Sequence, residues 1–183
     1  MNEKRARAWT KAVDFHGHSC PGLAIGVRIA LDYLEDLKIE RAGDEELAAV
    51  AETDACAVDG LQAILGCTAG KGNLWLRRRG KQVFSIYQRA SGRGRRYCWQ
   101  GDGRGELSRE ERTELYLKAP GENLYRVSEA RWPLPPEASV LKSRPCQICG
   151  ELTAEPGLRL REGQVICLDC YGLPLDLSRR IVL

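Results

Sequence analysis

"DFHGHSCPGLAIGVRIALDYL", residues 14–34, decides how this chain folds, because a cluster of histidine and cysteine leads directly into an apolar helical pattern. The apolar residues recur at helical spacing: Leu23, Val27, Ala30, Leu31 and Leu34. Cys20 stands at the N-cap, and Pro21 takes the first helical position, where its missing N–H costs nothing. The pattern predicts a helix over residues 23–37 that buries one stripe of side chains.

The residues after this helix predict a sheet. Residues 47–52 are typical of a short strand, and residues 56–65 of a second helix that ends at a glycine. Two runs rich in aromatic and β-branched residues, 72–79 and 81–89, predict a hairpin that turns at Gly80. The sequence therefore predicts an α+β fold, with helices packed on a mainly antiparallel sheet.

Later signals extend this sheet and close the domain. Residues 95–100 favour another short strand, and Ser108 with Glu111 forms a capping-box pattern that opens a helix to about Leu117. The stiff sequence PLPPEAS follows Trp132 and is typical of a linker. We expect a core domain over residues 1–135, a linker over 136–143 and a small C-terminal domain over 144–183.

Composition indicates where the protein works. The chain has 183 residues and eight cysteines, and no run approaches the ~18–20 apolar residues that a membrane-spanning helix needs. Its first 15 residues lack the apolar centre of a secretory signal. We expect a soluble cytoplasmic protein with no membrane partner, whose cysteines serve as metal ligands or reactive thiols.

Charge is distributed unevenly along the chain. Residues 60–101 contain no Asp or Glu but hold nine of the 28 Lys and Arg residues. Such a block can attract an anionic ligand, nucleic acid or an acidic partner. A solvated strand face explains the same block equally simply.

The C-terminal region carries two C-x-x-C pairs that are 17 residues apart: Cys146, Cys149, Cys167 and Cys170. This spacing is typical of a structural four-cysteine zinc site, and the alternation between the pairs predicts a hairpin. The arrangement resembles a treble-clef zinc finger. A thioredoxin-like redox pair is the alternative, although no βαβ pattern surrounds either pair.

A second candidate cluster lies at the start of the chain. His16, His18 and Cys20 alternate, so in an extended loop they would face the same way and could bind one ion. Zinc suits imidazole and thiolate ligands, and nickel or iron would also fit. Cys56 and Cys67 stand with Cys20 at predicted helix ends, and the helix N-termini at Cys20 and Cys56 favour thiolates.

The motifs "DFHGHSCPGLAIGVRIALDYL" and "ETDACAVDGLQAILGCTAGKGNL", followed by the double C-x-x-C, resemble the FmdE family of formylmethanofuran dehydrogenase subunits. The resemblance implies an α+β core with a metal-associated cleft, a treble-clef finger and a homodimer. It also implies a molybdenum or tungsten enzyme as partner in one-carbon metabolism. Matched motif by motif, the implied cleft residues are His16, His18, Cys20, Cys56, Asp59, Cys67 and Lys71.

Two functions are consistent with these residues. In a metal-dependent enzyme, the core metal polarises a carbonyl or water, and Cys20 or Cys56 is a ligand or nucleophile. Asp59 orients a histidine or acts as base, and Lys71 binds an anionic group. Alternatively, the protein is a non-catalytic accessory or metal-sensing and delivery module that docks a partner enzyme or nucleic acid through the finger and the basic face. Zinc is the expected metal in the finger, and zinc or another transition metal in the core.

Overall fold

The computed structural model describes residues 3–101 and 107–172. The chain divides into two compact units after residue 137. The helices of the first unit are α1 (Glu3–His16), α2 (Pro21–Leu37), α3 (Ala57–Leu65) and α4 (Arg109–Lys118). Its strands are β1 (Leu47–Ala51), β2 (Leu74–Leu76), β3 (Val83–Gln88), β4 (Arg93–Trp99) and β5 (Tyr125–Glu129). The predicted α+β fold with a mainly antiparallel sheet is confirmed.

The five-stranded sheet has the order β2-β1-β3-β4-β5, in which only the β1–β2 pair is parallel. The predicted hairpin between residues 72–79 and 81–89 is therefore wrong, because β1 lies between β2 and β3. All five residues of β1 are buried, so this strand needs a neighbour on each side. Helix α3 connects the end of β1 to β2 and reverses the chain direction, so β2 can run parallel to β1 and pair with it.

Helix α2 is the centre of the first unit. As predicted, Cys20 caps it, and the Cys20 Sγ accepts a hydrogen bond from the Leu23 backbone N–H (3.3 Å). The expectation of a single buried stripe is wrong, because every residue from 23 to 34 is buried. Its polar side chains instead form an internal network, in which Arg28 Nε donates to Asp32 Oδ2 (2.7 Å) and the Tyr125 hydroxyl also donates to Asp32.

Sequence reasoning predicted α4 correctly and missed α1 and β5. Ser108 and Glu111 form the predicted capping box of α4. In α1, only Ala12 is buried, so the helix carries little of the apolar periodicity that would reveal it. Strand β5 lies at the edge of the sheet, and of its five residues only Tyr125 is buried.

A small apolar cluster, separate from the main core, packs on one face of the sheet. Ala48, Val50 and Tyr87 pack there against Trp75, Trp132 and Leu134. The start of the segment interpreted as a stiff linker is held in place, because Arg89 donates to the carbonyls of Pro135 (2.7 Å) and Pro136 (3.0 Å).

The described part of the second unit contains two short hairpins, a 3-10 turn (Glu155–Gly157) and one turn of α-helix. Its elements are β6 (Ser143–Pro145), β7 (Leu152–Ala154), β8 (Leu158–Arg161), β9 (Gln164–Cys167) and α5 (Leu168–Tyr171). The β8–β9 pair confirms the hairpin predicted between the two C-x-x-C motifs. Within the described residues, the buried apolar cluster of this unit is limited to Cys146, Ile166 and Cys167. Among the described helices of the chain, none is both long and apolar enough to cross a bilayer.

Candidate metal centres

The core site begins with an unusually close approach of α2 and α3. A Cβ atom on Gly26 would lie 1.9 Å from the Ala57 carbonyl oxygen, and one on Gly60 would lie 2.6 Å from the Val27 backbone nitrogen. Side chains at these positions would force the helices apart. Because the two helix N-termini are held side by side, Cys20 and Cys56 meet at one end of the helix pair.

Three donor groups converge at that end. The imidazole of His16 and the thiols of Cys20 and Cys56 have donor atoms that all lie within 4.8 Å of one another. The His16 Nε2 is 3.8 Å from the Cys20 Sγ. His16 is the last residue of α1, so three different helices contribute one donor each.

Asp59 and Gln62 fix the orientation of the histidine. The Asp59 Oδ2 accepts a hydrogen bond from the His16 Nδ1 (2.7 Å), and the Asp59 Oδ1 accepts one from the Gln62 Nε2 (3.1 Å). An ionised carboxylate can only accept, so Nδ1 is the donor of this hydrogen bond, and Nε2 is the ring nitrogen that faces Cys20. A carboxylate behind a histidine is the usual support of a metal-binding imidazole.

The donor set fits a metal ion such as zinc. With bonds of about 2.3 Å to sulfur and 2.0–2.1 Å to nitrogen, two ligands of a tetrahedral ion stand about 3.5–3.8 Å apart. The 3.8 Å between His16 Nε2 and Cys20 Sγ matches this spacing. Three protein donors at a tetrahedral ion leave a fourth position for a water molecule or a small ligand.

The surroundings of Cys56 oppose the thiolate form that a helix N-terminus favours. Burial raises the pKa of the Cys56 thiol, and the neighbouring Cys20 thiol raises it further. Helix α3 also begins without a side-chain hydrogen bond to Cys56. A bound cation would offset these effects and favour the Cys56 thiolate.

Other residues predicted for the core site lie outside the three-donor group. His18 is exposed, and its ring centroid lies 4.4 Å from that of His16. The two histidines do not share an extended loop, because His16 is helical and Gly17 turns the chain with a φ of +91°. Cys67 is fully buried, and burial raises the pKa of its thiol to about 12. Lys71 Nζ donates to the carbonyls of Asp44 (2.7 Å) and Gly43 (3.3 Å).

The second unit brings together the four cysteines of the two C-x-x-C pairs. Their sulfur atoms all lie within 4.8 Å of one another, with Cys149 and Cys167 3.9 Å apart. Backbone N–H groups, first that of Cys149 and then that of Cys167, lower the pKa of Cys146 to about 6. The neighbouring thiols, Cys167 first among them, raise the pKa of Cys170 to about 12. Four facing thiols can all be deprotonated only with a cation among them, as in a small zinc finger.

Four of the nine basic residues in the acid-free block are paired with acids of the first unit. These ion pairs join arginines to acids that precede the block: Arg78–Asp54, Arg89–Glu45, Arg95–Asp36 and Arg96–Glu52. The guanidinium of Arg77 stacks 4.1 Å from the ring centroid of Trp132. These contacts favour the structural explanation of the block over a free nucleic-acid-binding face.

Fold and sites together define an α+β protein with two clusters of potential metal ligands, one where three helix ends meet and one in a small four-cysteine unit. The sequence model of the family described as "FmdE, Molybdenum formylmethanofuran dehydrogenase operon" matches residues 15–130. The chain belongs to this family, which confirms the resemblance seen in its motifs.

Two similar proteins extend this comparison. A "Probable S-adenosyl-L-methionine-binding protein" from Archaeoglobus fulgidus is 28% identical, and the match covers 92% of this chain and 54% of that protein. The chain thus spans about half the length of this curated relative. The crystal structure of a tungsten formylmethanofuran dehydrogenase FmdE-like protein from Syntrophus aciditrophicus is 23% identical, covers 92% of both chains and has a TM-score of 0.65. This chain and the FmdE-like protein from Syntrophus aciditrophicus therefore share a fold.

Sequence reasoning named the donors of the core site but missed the two glycines that let their helices approach. Gly26 and Gly60 lie inside predicted helices, where glycine lowers helix stability. Glycines at such positions indicate that another backbone packs closely there.

Asp59 offers a direct test of the histidine's support. Replacing Asp59 with alanine is expected to weaken metal affinity at the core site about 10–100-fold, because the His16 ring loses the acceptor that orients it. Competition with a coloured chelator measures this affinity. Asp14→Ala removes an exposed acid from α1 and is the matched control. Equal affinity in the two variants would show that Asp59 does not support a metal ligand.

Proposed function

We propose that the core cleft of this protein binds one transition metal ion, zinc in the first instance, and is a metal-dependent active site for a small molecule with a carbonyl group. The convergence of His16, Cys20 and Cys56 within 4.8 Å carries this proposal. A closed structural site would supply four protein donors, whereas this cluster supplies three. The finger cysteines hold a second, structural zinc ion.

Each residue of the cleft has a distinct task. His16, Cys20 and Cys56 hold the ion, and Asp59 keeps the His16 ring in the tautomer that presents Nε2. The bound ion supplies Lewis-acid polarisation of a carbonyl or acidification of a water molecule at its open position. Cys56 is partly exposed, while Cys20 is buried, so the small molecule approaches from the Cys56 side. The exposed His18 stands beside His16, where it can exchange protons with that molecule.

Family membership suggests the kind of substrate. The description of the family refers to the operon of molybdenum formylmethanofuran dehydrogenase. We therefore propose a one-carbon carbonyl compound, such as a formyl derivative, as the first substrate to test. The relative from Archaeoglobus fulgidus carries a name that refers to S-adenosyl-L-methionine binding, which makes that compound the second choice to test. We further propose that the protein acts in the cytoplasm as a homodimer alongside a molybdenum or tungsten enzyme.

One observation favours an accessory role for the finger. The second unit exposes large apolar side chains at Ile148, Leu152 and Leu160, which are 59%, 77% and 72% exposed. Exposed large apolar side chains on a small unit favour a protein-docking surface. In this alternative, the finger attaches the protein to its partner enzyme, and the core cleft stores or delivers metal.

Metal content per chain, measured by elemental mass spectrometry, tests the proposed core site. We expect two metal ions in the wild-type protein, one in His16→Ala and one in the Cys146→Ser/Cys149→Ser variant. His18→Ala is the matched control and is expected to retain both ions, because the three converging donors remain. A single ion in the wild type that disappears with the finger cysteines would refute the core metal site.

A further inference from the structure

The core site contains two thiols that lie close enough to react with each other. Cys20 and Cys56 are both free cysteines, and their sulfur atoms lie within 4.8 Å of each other. They stand at the N-terminal ends of α2 and α3, two helices in close contact. A disulfide joins sulfur atoms about 2.05 Å apart, so the remaining gap is of the size that rotations about the two Cα–Cβ bonds close.

A third glycine lies against both cysteine side chains. A Cβ atom on Gly22 would be 3.1 Å from the Cys56 Cβ, 3.7 Å from the Cys56 Sγ and 3.9 Å from the Cys20 Sγ. Because Gly22 has no side chain, Cys56 packs directly against the first turn of α2, which Cys20 caps. The two thiols can therefore bond without a large movement of either helix.

The two thiols differ in their access to solvent. Cys56 is partly exposed, whereas Cys20 is buried. A dissolved oxidant therefore meets Cys56 first, and Cys20 lies behind it. This division is typical of redox-active pairs, in which an accessible cysteine reacts and a neighbouring cysteine resolves the product.

We propose that the core site is redox-sensitive: a low-molecular-weight disulfide, such as oxidised glutathione, converts Cys20 and Cys56 into a disulfide and thereby releases the metal ion. The inference rests on the proposed function, since it takes both cysteines as metal ligands. Metal ions bind the thiolate form of cysteine, so oxidation removes two of the three protein donors. His16 then remains as the single donor of the group, too few to retain the ion.

The reaction consists of two balanced thiol–disulfide exchanges. The Cys56 thiolate attacks one sulfur of oxidised glutathione, a mixed disulfide forms, and one glutathione thiolate leaves. The Cys20 thiolate then attacks the Cys56 sulfur, forms the Cys20–Cys56 bond and releases the second glutathione thiolate. The two cysteines lose two electrons in total, and the glutathione disulfide gains them.

Equilibration with glutathione tests the pairing of the two cysteines. The full wild-type chain is treated with a chelator and incubated at increasing ratios of oxidised to reduced glutathione, after which free thiols are blocked in acid. Trypsin, followed by cleavage before Asp59, separates Cys56 from Cys67, so mass spectrometry identifies the cysteine bonded to Cys20. We expect a Cys20–Cys56 link that dithiothreitol reverses. Glutathione that stays attached to Cys56, or a link from Cys20 to another cysteine, would overturn the inference.

Bound zinc should oppose this link, because zinc binds only the reduced pair. With free zinc buffered at about 100 times its Kd, half-oxidation should require a glutathione ratio about 100-fold more oxidising. His16→Ala keeps both cysteines, so it should form the same link with a much smaller zinc effect. Cys98→Ser is the matched control and should behave as the wild type, because Cys98 belongs to neither metal-ligand cluster in the described residues.

Metal content of the untreated wild type separates failure of this inference from failure of the proposed function. Two metal ions per chain with no Cys20–Cys56 link, or with a link that zinc does not oppose, would overturn the redox inference and leave the core metal site standing. A chain that holds only the finger's ion and still forms the link would refute the core metal site, and with it the release of metal.

Discussion

Removal of metal from the finger is expected to unfold residues 143–172 while the first unit stays folded. The described part of the finger buries only Ile166 and two of its own cysteines, too little apolar surface to offset the entropy of ordering the chain. Zinc binding in comparable peptides contributes about 10–16 kcal/mol at neutral pH, so folding of this unit depends on the ion.

Hydrogen exchange measured by mass spectrometry tests this prediction. Amides of β8 and β9 should lose their protection after chelation and in the Cys146→Ser/Cys149→Ser variant, whereas amides of α2 should keep theirs. Cys98→Ser is the control, because Cys98 belongs to neither metal-ligand cluster in the described residues. Protection of β8 and β9 that survives both treatments would mean that the finger is stable without a metal.

Gly26→Ala is expected to destabilise the first unit by about 3 kcal/mol, toward the upper end of the usual cost of overpacking. Helix propensity alone predicts the opposite sign, since alanine is favoured over glycine by about 1 kcal/mol inside a helix. Steric conflict decides here, because the new Cβ would lie 1.9 Å from the Ala57 carbonyl oxygen. Backbone must move, and the N-termini of α2 and α3 separate.

The same substitution should weaken the core site, since Cys20 and Cys56 depend on the contact between these helices. Chemical denaturation gives the change in stability, and elemental analysis gives the metal content. Gly70→Ala is the control, because a Cβ there meets no atom within 4 Å, and its effect should stay within about 0.5 kcal/mol. A Gly26→Ala variant as stable as the wild type would show that the helices can separate at no cost.

Local signals made much of this protein predictable. Cys20 and Pro21 mark the start of α2, Ser108 and Glu111 mark the start of α4, and both features depend on residues only a few positions apart. The two C-x-x-C pairs likewise indicate a four-cysteine site, since spacing alone brings each pair of thiols to one ion. Each of these interactions joins residues that are close in sequence, so the local sequence is enough to predict it.

The tertiary structure alone decided the position of β1 between β2 and β3, the burial of Arg28 and Asp32, and the choice of His16 over His18 beside the thiols. Each depends on contacts between segments far apart in sequence. Strand β1 is interior because both its faces are covered, and Asp59 on α3 selects His16 by accepting a hydrogen bond from its Nδ1. A sequence determines which residues can meet at a site, but helix packing through Gly26 and Gly60 determines which ones do.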